Sequence, residues 1–271
     1  MNIFEAKLPI IGMVHLAPLP GAPLTPQSAV ASEAIESVEA KALVDAKALA
    51  DGGVDAIMIE NFGDAPFFPG QNPVHVATVM TRLAIRIREV SGKPIGINVL
   101  RNDGFAALAV AIAADAEFIR VNILSGARVT DQGLIGSNAH ELLRYRREIG
   151  ATGIGILADV QVKHSTPLGC GGSLTQEVSD LCQRGMASGV VVSGSGTGKA
   201  VDIDRLRTVR AASGNCPVFI GSGASTDNLA ELASYASGFI VGTAFKPGGD
   251  PAAPVDSKRV AELCQTRNAL R

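Results

Sequence analysis

Short runs of uninterrupted apolar residues alternate along the chain with longer stretches in which apolar positions recur every three or four residues. The short runs begin near Ile10, Ala56, Pro94, Glu117, Gly153, Gly189, Pro217 and Gly238. An apolar run without polar alternation marks a strand buried on both faces, as in a parallel sheet. The stretches between them have the period of helices. The clearest covers 74–90, where Val76, Val79, Met80, Leu83, Ile87 and Val90 form one stripe and Arg82, Arg86 and Arg88 lie off it. Local punctuation agrees with this division. Ser173 to Gln176 reads as a capping box, and Gly52-Gly53 closes the helix that carries Leu43 and Leu49. Eight strand–helix repeats with no evident linker predict an α/β fold, a (β/α)8 TIM barrel spanning residues 1–271 as one domain.

Successive strand residues face opposite sides. If the apolar set of each strand packs on helices, Val14 and Leu16 face out and His15 faces in. The same parity turns Ile57 and Ile59 out and Ala56, Met58 and Glu60 in. It turns Ile95, Ile97 and Val99 out and Asn98 in, and Ile119, Val121 and Ile123 out with Arg120 and Asn122 in. In the fifth strand Ile154, Ile156 and Ala158 face out and Asp159 in. Five strands therefore place a polar side chain inward near their C-terminal ends, where a purely structural interior would carry Val, Ile or Leu. An unpaired ion buried there costs several kcal/mol, so Glu60, Arg120 and Asp159 should meet one another, a metal or a ligand. Lys163 and His164, just past the fifth strand, would stand over the barrel mouth. A desolvated lysine serves as base, electrophile or nucleophile, and a histidine exchanges protons near neutral pH.

The last two strand runs, 217–226 and 238–246, both stop at Gly with Ser or Thr. Glycine lets backbone N–H groups approach a bound anion closely, and barrels commonly bind phosphate after strands seven and eight. Ser222, Gly223, Gly242 and Thr243 are the expected phosphate cradle, with Gly194 at the end of the sixth strand beside them. The helix after Thr226 would add its N-terminal dipole. Two long loops, 17–26 and 61–73, are expected to act as lids at the same face.

Composition narrows the classes. The chain has no Trp and two Tyr, too few aromatics for a stacking platform on single-stranded nucleic acid. A formal net charge of −2 with dispersed Lys and Arg gives no basic footprint, so no nucleic-acid partner is expected. No secretory leader and no integral membrane segment is read. Cys170, Cys182, Cys216 and Cys264 include no C-x-x-C pair and read as buried small hydrophobes. A cytoplasmic homo-oligomer is the expectation. Residues 193–200 resemble a phosphate-binding P-loop but have Ser193 and Ala200 where Gly and Ser or Thr belong. Residues 221–226 begin like a dinucleotide fingerprint but lack its third Gly. Met13 and His15 stand where a metal-dependent hydrolase often carries His-x-His. No cofactor is assigned, and a divalent cation held by Glu60, Asp159 and His164 stays open as an alternative.

Gly12-Met13-Val14-His15-Leu16 with Pro18-Leu19-Pro20-Gly21, the Glu60-Asn61-Phe62-Gly63-Asp64 block, and Asn98 through Asp103 resemble the BtpA family. Phe118 to Asn122, Ala158-Asp159-Val160 with Lys163-His164, and Ile220 to Gly223 continue the likeness. It covers nearly the whole chain, apart from Leu168 to Gly172. The family is named for a factor in photosystem I biogenesis that is peripheral to membranes, and the resemblance implies peripheral membrane association as one prospect. Two functions follow. The first is an isomerase- or lyase-type enzyme acting on a small phosphorylated, sugar-like molecule. There Glu60, Arg120, Asp159, Lys163 and His164 would be catalytic, and His15, Asn61, Asn98, Arg101, Asn102, Asp103 and Asn122 would hold substrate. The second is a non-catalytic assembly factor for membrane complexes. The inward polar layer has no purpose under the second reading, which favours the first.

Overall fold

The computed structural model of the chain describes residues 2–26, 30–169, 172–194 and 201–271. Its strands, in chain order, are β1 (Ile10–His15), β2 (Ala56–Glu60), β3 (Ile95–Asn98), β4 (Phe118–Val121), β5 (Ala127–Thr130), β6 (Gly133–Gly136), β7 (Gly155–Val160), β8 (Ser165–Pro167), β9 (Gly189–Val192), β10 (Val218–Ile220) and β11 (Gly238–Val241). Its α-helices are α1 (Ala31–Gly52), α2 (Val74–Ser91), α3 (Gly104–Ala113), α4 (Ala139–Glu148), α5 (Leu174–Ser179), α6 (Ile203–Ala212), α7 (Leu229–Ala233) and α8 (Ser257–Asn268). Eight strands close a parallel barrel in the order β1, β2, β3, β4, β7, β9, β10, β11 and back to β1. The remaining three, β6, β5 and β8, form a small antiparallel sheet.

Two apolar layers explain the architecture. Ile10, Val14, Ile57, Ile59, Ile95, Ile97 and Ile119 face outward and pack with the buried stripes of the helices, such as Val76, Met80, Leu83 and Ile87 of α2. Ile11, Met13, Ala56, Met58, Phe118, Leu157, Val191, Phe219 and Ile240 face inward and fill the lower barrel. Ile3 and Phe4 plug its base, Phe4 meeting Phe219 edge-on with ring centroids 6.1 Å apart. The in–out alternation expected from the strand pattern is thus present on β1, β2, β3, β4 and β7, except that Ile123, past the end of β4, leaves the outer layer and packs with Ile135 and Val162 instead.

Details of the helices differ from their patterns in small ways. Val90 lies at the end of α2 and is exposed, because the stripe drifts off the buried face in the last turn. Ser173 caps α5 by accepting from the Gln176 N–H at 3.2 Å, but the Gln176 side chain turns to Asp180 instead of completing the box. Gly53 ends α1 at φ 92°, the left-handed region where glycine carries no Cβ penalty.

The 16–19 and 61–64 segments lock to each other. Gly63 N–H donates to the Leu16 carbonyl at 3.0 Å, and Leu19 N–H donates to Asp64 at 2.8 Å. The small sheet was not apparent in the sequence, since its strands are three or four residues long and half exposed. It inserts after β4 and β7, at the C-terminal face, and so lengthens the wall of the barrel mouth. Of the cysteines, Cys264 is buried while Cys182 and Cys216 are only partly so, which corrects the expectation of uniform burial. Cys170 lies outside the described residues, as do 195–200 of the loop resembling a P-loop. Among the described residues no helix is long and apolar enough to cross a membrane.

Candidate active site

Strand register assembles the site. His15 pairs with Glu60, Glu60 with Asn98, and Asn98 with Arg120, so four polar side chains stand side by side on β1 to β4. Arg120 is level with Leu157 on β7, which places Asp159 one inward position above it, within reach of the guanidinium. The opposite arc carries small residues at this level: Ser193 after β9, Gly221 after β10 and Gly242 after β11. Large polar groups on one side and small ones on the other leave an open cavity of about 620 Å³ at the C-terminal face.

Glu60 is buried in the cavity wall. Asn98 donates to its Oε2 at 2.5 Å, and the Nε2 of His15 lies 4.0 Å from its Oε1. Burial pushes the Glu60 carboxyl above its ordinary range, against the opposing pull of Arg120 and the Asn98 hydrogen bond. Arg120 holds Asp159 with two hydrogen bonds of 3.0 and 2.7 Å, and Asn122 donates to Asp159 at 2.6 Å. Burial works to lower the Arg120 pKa, but the charge and hydrogen bonds of Asp159 outweigh it and keep the guanidinium protonated. Two-point pairing of this kind fixes both position and charge. Arg120 faces the cavity and Asp159 stands behind it.

Lys163 reaches into the cavity from the loop after β7. Burial, then the nearby Arg120 charge, lowers its pKa to about 8, with Asp159 and Glu60 opposing. His15 is driven further down, to about 3, by burial and by Lys246, Lys163 and Arg120. It is therefore a neutral imidazole at physiological pH.

The cradle faces this row. Ser222, Gly223, Ala224 and Ser225 line the cavity with Thr243 and Ala244. Gly223 sits at φ 78°, and Asn228 pins the loop by donating to the Gly223 carbonyl at 2.8 Å while accepting from Ser225 N–H at 2.8 Å. Among the described residues, the N–H groups of Gly223 and Ala224 have no internal acceptor. Thr243 and Ala244 open a 3₁₀ turn, whose first N–H groups need no partner inside it. Gly242 is small for a reason the sequence did not show: a Cβ there would come within 2.8 Å of His15 Cε1. It makes room for the histidine ring. Gly194 is adjacent, but its N–H donates to Ser222 Oγ at 3.2 Å. The helix after Thr226, α7, has only five residues, so the expected dipole contribution is dropped.

Four of the expected substrate ligands instead build the scaffold. Asn61 brackets the Leu100 backbone, accepting from its N–H at 2.7 Å. Asn102 bonds the N–H and carbonyl of Ile123. Asp103 caps α3 through Ala106 N–H and accepts from Asn72 N–H at 2.6 Å. Arg101 ties the small sheet to the loop after β7, bonding Asp131 at 2.8 Å and the Lys163 carbonyl at 2.6 Å. Arg101 thus positions Lys163 without facing the cavity. His164 is exposed, at φ 55°. Glu60, Asp159 and His164 do not gather as a cation site, and no group of three His, Cys, Asp or Glu side chains suited to a metal occurs among the described residues.

Four lining residues carry no assignment from the sequence: Phe62, Asn228, Gly249 and Arg259. Phe62 stacks near His15 with ring centroids 4.8 Å apart. Arg259, in the first turn of α8, belongs to an element distant in sequence from the cradle. Only Asn228, three residues after a Gly-Ala-Ser turn, carried a local signal as a turn-capping side chain.

Known proteins agree with the architecture. The thiamine phosphate pyrophosphorylase from Pyrococcus furiosus superposes with a TM-score of 0.57 at 16% identity, covering 99% of this chain and 98% of that one. The phosphoribosyl anthranilate isomerase from Thermus thermophilus gives 0.55 at 13% identity, covering 97% and 100%. At such identities these likenesses bear on the fold alone. By sequence, the photosystem I biogenesis protein BtpA of Synechocystis is 45% identical over 262 residues, 97% of this chain and 88% of that one. With residues 6–269 matching the BtpA family throughout the barrel, the chain belongs to that family.

Proposed function

We propose that this barrel is an enzyme acting on a small phosphorylated, sugar-like substrate by proton transfer of the isomerase or aldolase type. The observation that carries the reading is one cavity holding Glu60 and Lys163, both with shifted protonation, opposite a loop with free backbone N–H groups. The phosphate would rest on Ser222, Gly223, Thr243 and Ala244. Glu60, with its raised pKa, would take a proton from carbon next to a carbonyl and return it. Lys163 as ammonium and Arg120 would stabilise the negative charge that develops on oxygen. Asn98 and Asp159 would orient Glu60 and Arg120, with Asn122 supporting Asp159.

The names of the two barrel neighbours, a thiamine phosphate enzyme and a phosphoribosyl isomerase, lend the phosphate reading support by analogy only. The name of the Synechocystis relative suggests instead a role in photosystem biogenesis. That role gives no use to the buried polar row. The test is a thermal-shift screen with ribose 5-phosphate, other sugar phosphates and their dephosphorylated counterparts, followed by exchange of substrate C–H for deuterium in D₂O. Stabilisation by phosphorylated sugars alone, and exchange lost in Glu60→Gln, are expected. No stabilisation by any of them, with and without Mg²⁺ or Zn²⁺, would overturn the reading.

A further inference from the structure

The cradle consists of backbone N–H groups and hydroxyls, which are neutral, whereas a phosphate ester carries about −1.5 to −2 charge at neutral pH. The cations of the proposed chemistry stand across the cavity: Arg120 on β4, already paired with Asp159, and Lys163 after β7. Among the residues that line the cradle side, from Gly221 round to α8, Arg259 is the only ionisable one.

The fold holds Arg259 in that place. The backbone N–H of Asp256, the N-cap of α8, donates to the Phe245 carbonyl at 2.8 Å. The start of the helix is thereby tied to the turn Thr243–Phe245 that forms one side of the cradle. Val260 is buried against Gly52 of α1, which fixes the rotation of α8 and leaves its neighbour Arg259 to line the cavity. The guanidinium has no use within the chain. The one carboxylate within reach, that of Asp256, lies 3.9 Å from Nε and already accepts from Lys258 N–H at 2.9 Å. A cation in the first turn also opposes the helix dipole, so helix stability does not account for it.

We propose that Arg259 selects for a terminal phosphate monoester. Its guanidinium closes over the outer oxygens of the phosphate whose inner oxygens rest on the N–H groups of the cradle. A planar fork of donors suits two oxygens of one phosphate. A monoester has three free oxygens, enough for both sides. A diester has two, and its second substituent would be turned toward the guanidinium. The inference rests on the phosphate-substrate reading above and adds to it a charged partner and the type of phosphate: the group ends the substrate and does not link two parts of it.

The probes are methyl phosphate, a small monoester, and dimethyl phosphate, its diester. Calorimetry on the wild-type chain should show methyl phosphate bound at least about tenfold more tightly. Arg259→Gln should lower methyl phosphate affinity about tenfold or more and remove most of that preference. Its Tm should not change, because the side chain is half exposed. Lys258→Gln removes the same charge from the same turn, at an exposed residue that does not line the cavity, and should change affinity by no more than about twofold. Arg259→Lys restores the charge without the fork and should recover only part of the affinity. Binding that is lost in Gly223→Val but unchanged in Arg259→Gln would leave the cradle standing and overturn the role of Arg259. Equal losses in Lys258→Gln and Arg259→Gln would reduce the arginine to a distant charge and overturn it as well, as would equal affinity of the wild type for the two esters. No binding of methyl phosphate by the wild type would overturn the phosphate reading itself, and this inference with it.

Discussion

Lys163 and His15 show how one buried charge cluster sets opposite roles. Lys163, at about pKa 8, changes charge just above neutrality, whereas His15 at about 3 stays neutral. With Glu60 as the base and Lys163 as the ammonium, kcat/KM should be bell-shaped. Its acid limb lies above the ordinary carboxylate range and its basic limb near about 8. Lys163→Ala should abolish turnover with the folded baseline and Tm nearly unchanged, since the side chain lies past a strand end. Lys163→Arg should remove the basic limb; a profile identical to wild type would demote Lys163 to a loop residue. His15 supplies a stability prediction. Its folded pKa lies below the ordinary 6.5, so the unfolded chain binds the extra proton as pH falls. Its contribution is therefore present above pH 6.5 and is lost progressively between 6.5 and about 3. The loss is at most about 1.4 kcal/mol per pH unit. Urea unfolding at several pH values should give a shallower acid slope in His15→Gln, and an unchanged slope would refute the depressed pKa.

The cradle is an element-scale device. The loop after β10 depends on Gly223 at φ 78° and on Asn228 bridging its two sides. Gly223→Val would force a branched side chain into the left-handed region and crowd the anion space. It should sharply weaken binding of inorganic phosphate or sulfate, with a strain of about 1–2 kcal/mol confined to the loop. Asn228→Ala should weaken binding too, by freeing the loop rather than filling it. Equal phosphate affinity in Gly223→Val, measured by calorimetry, would dismiss the cradle. The glycine at 242 belongs to a different account: its missing Cβ accommodates His15. In the sequence the two glycines look alike, because nothing local reveals that the His15 ring of β1 packs over the end of β11.

The whole barrel closes where its ends meet. Arg267 of α8, nearly fully buried, pairs with Asp55 and donates to the Leu8 carbonyl at 3.0 Å, while Asp55 accepts from Ile10 N–H at 2.8 Å. Asp55 has a lowered pKa: burial acts to raise it, and Ile10 and Arg267 together prevail. Arg267→Met would leave Asp55 with the partly exposed Arg271, 3.1 Å away, and the Ile10 N–H, with an expected destabilisation of about 1.5–3 kcal/mol from the lost charged hydrogen bond. A change below about 1 kcal/mol in urea unfolding would show that closure does not depend on this pair. At this scale the sequence by itself determined the repeat, the closed barrel and the inward direction of His15, Glu60, Asn98, Arg120 and Asp159. Strand periodicity and continuous apolar runs are local properties, and parity follows from them. Only the tertiary structure decided that Asn61, Arg101, Asn102 and Asp103 hold backbone in place, and that Arg259 and Phe62 face the cavity. Those outcomes depend on which loops and helices become neighbours across the barrel, and no periodicity within a single segment encodes a contact between segments far apart in the chain.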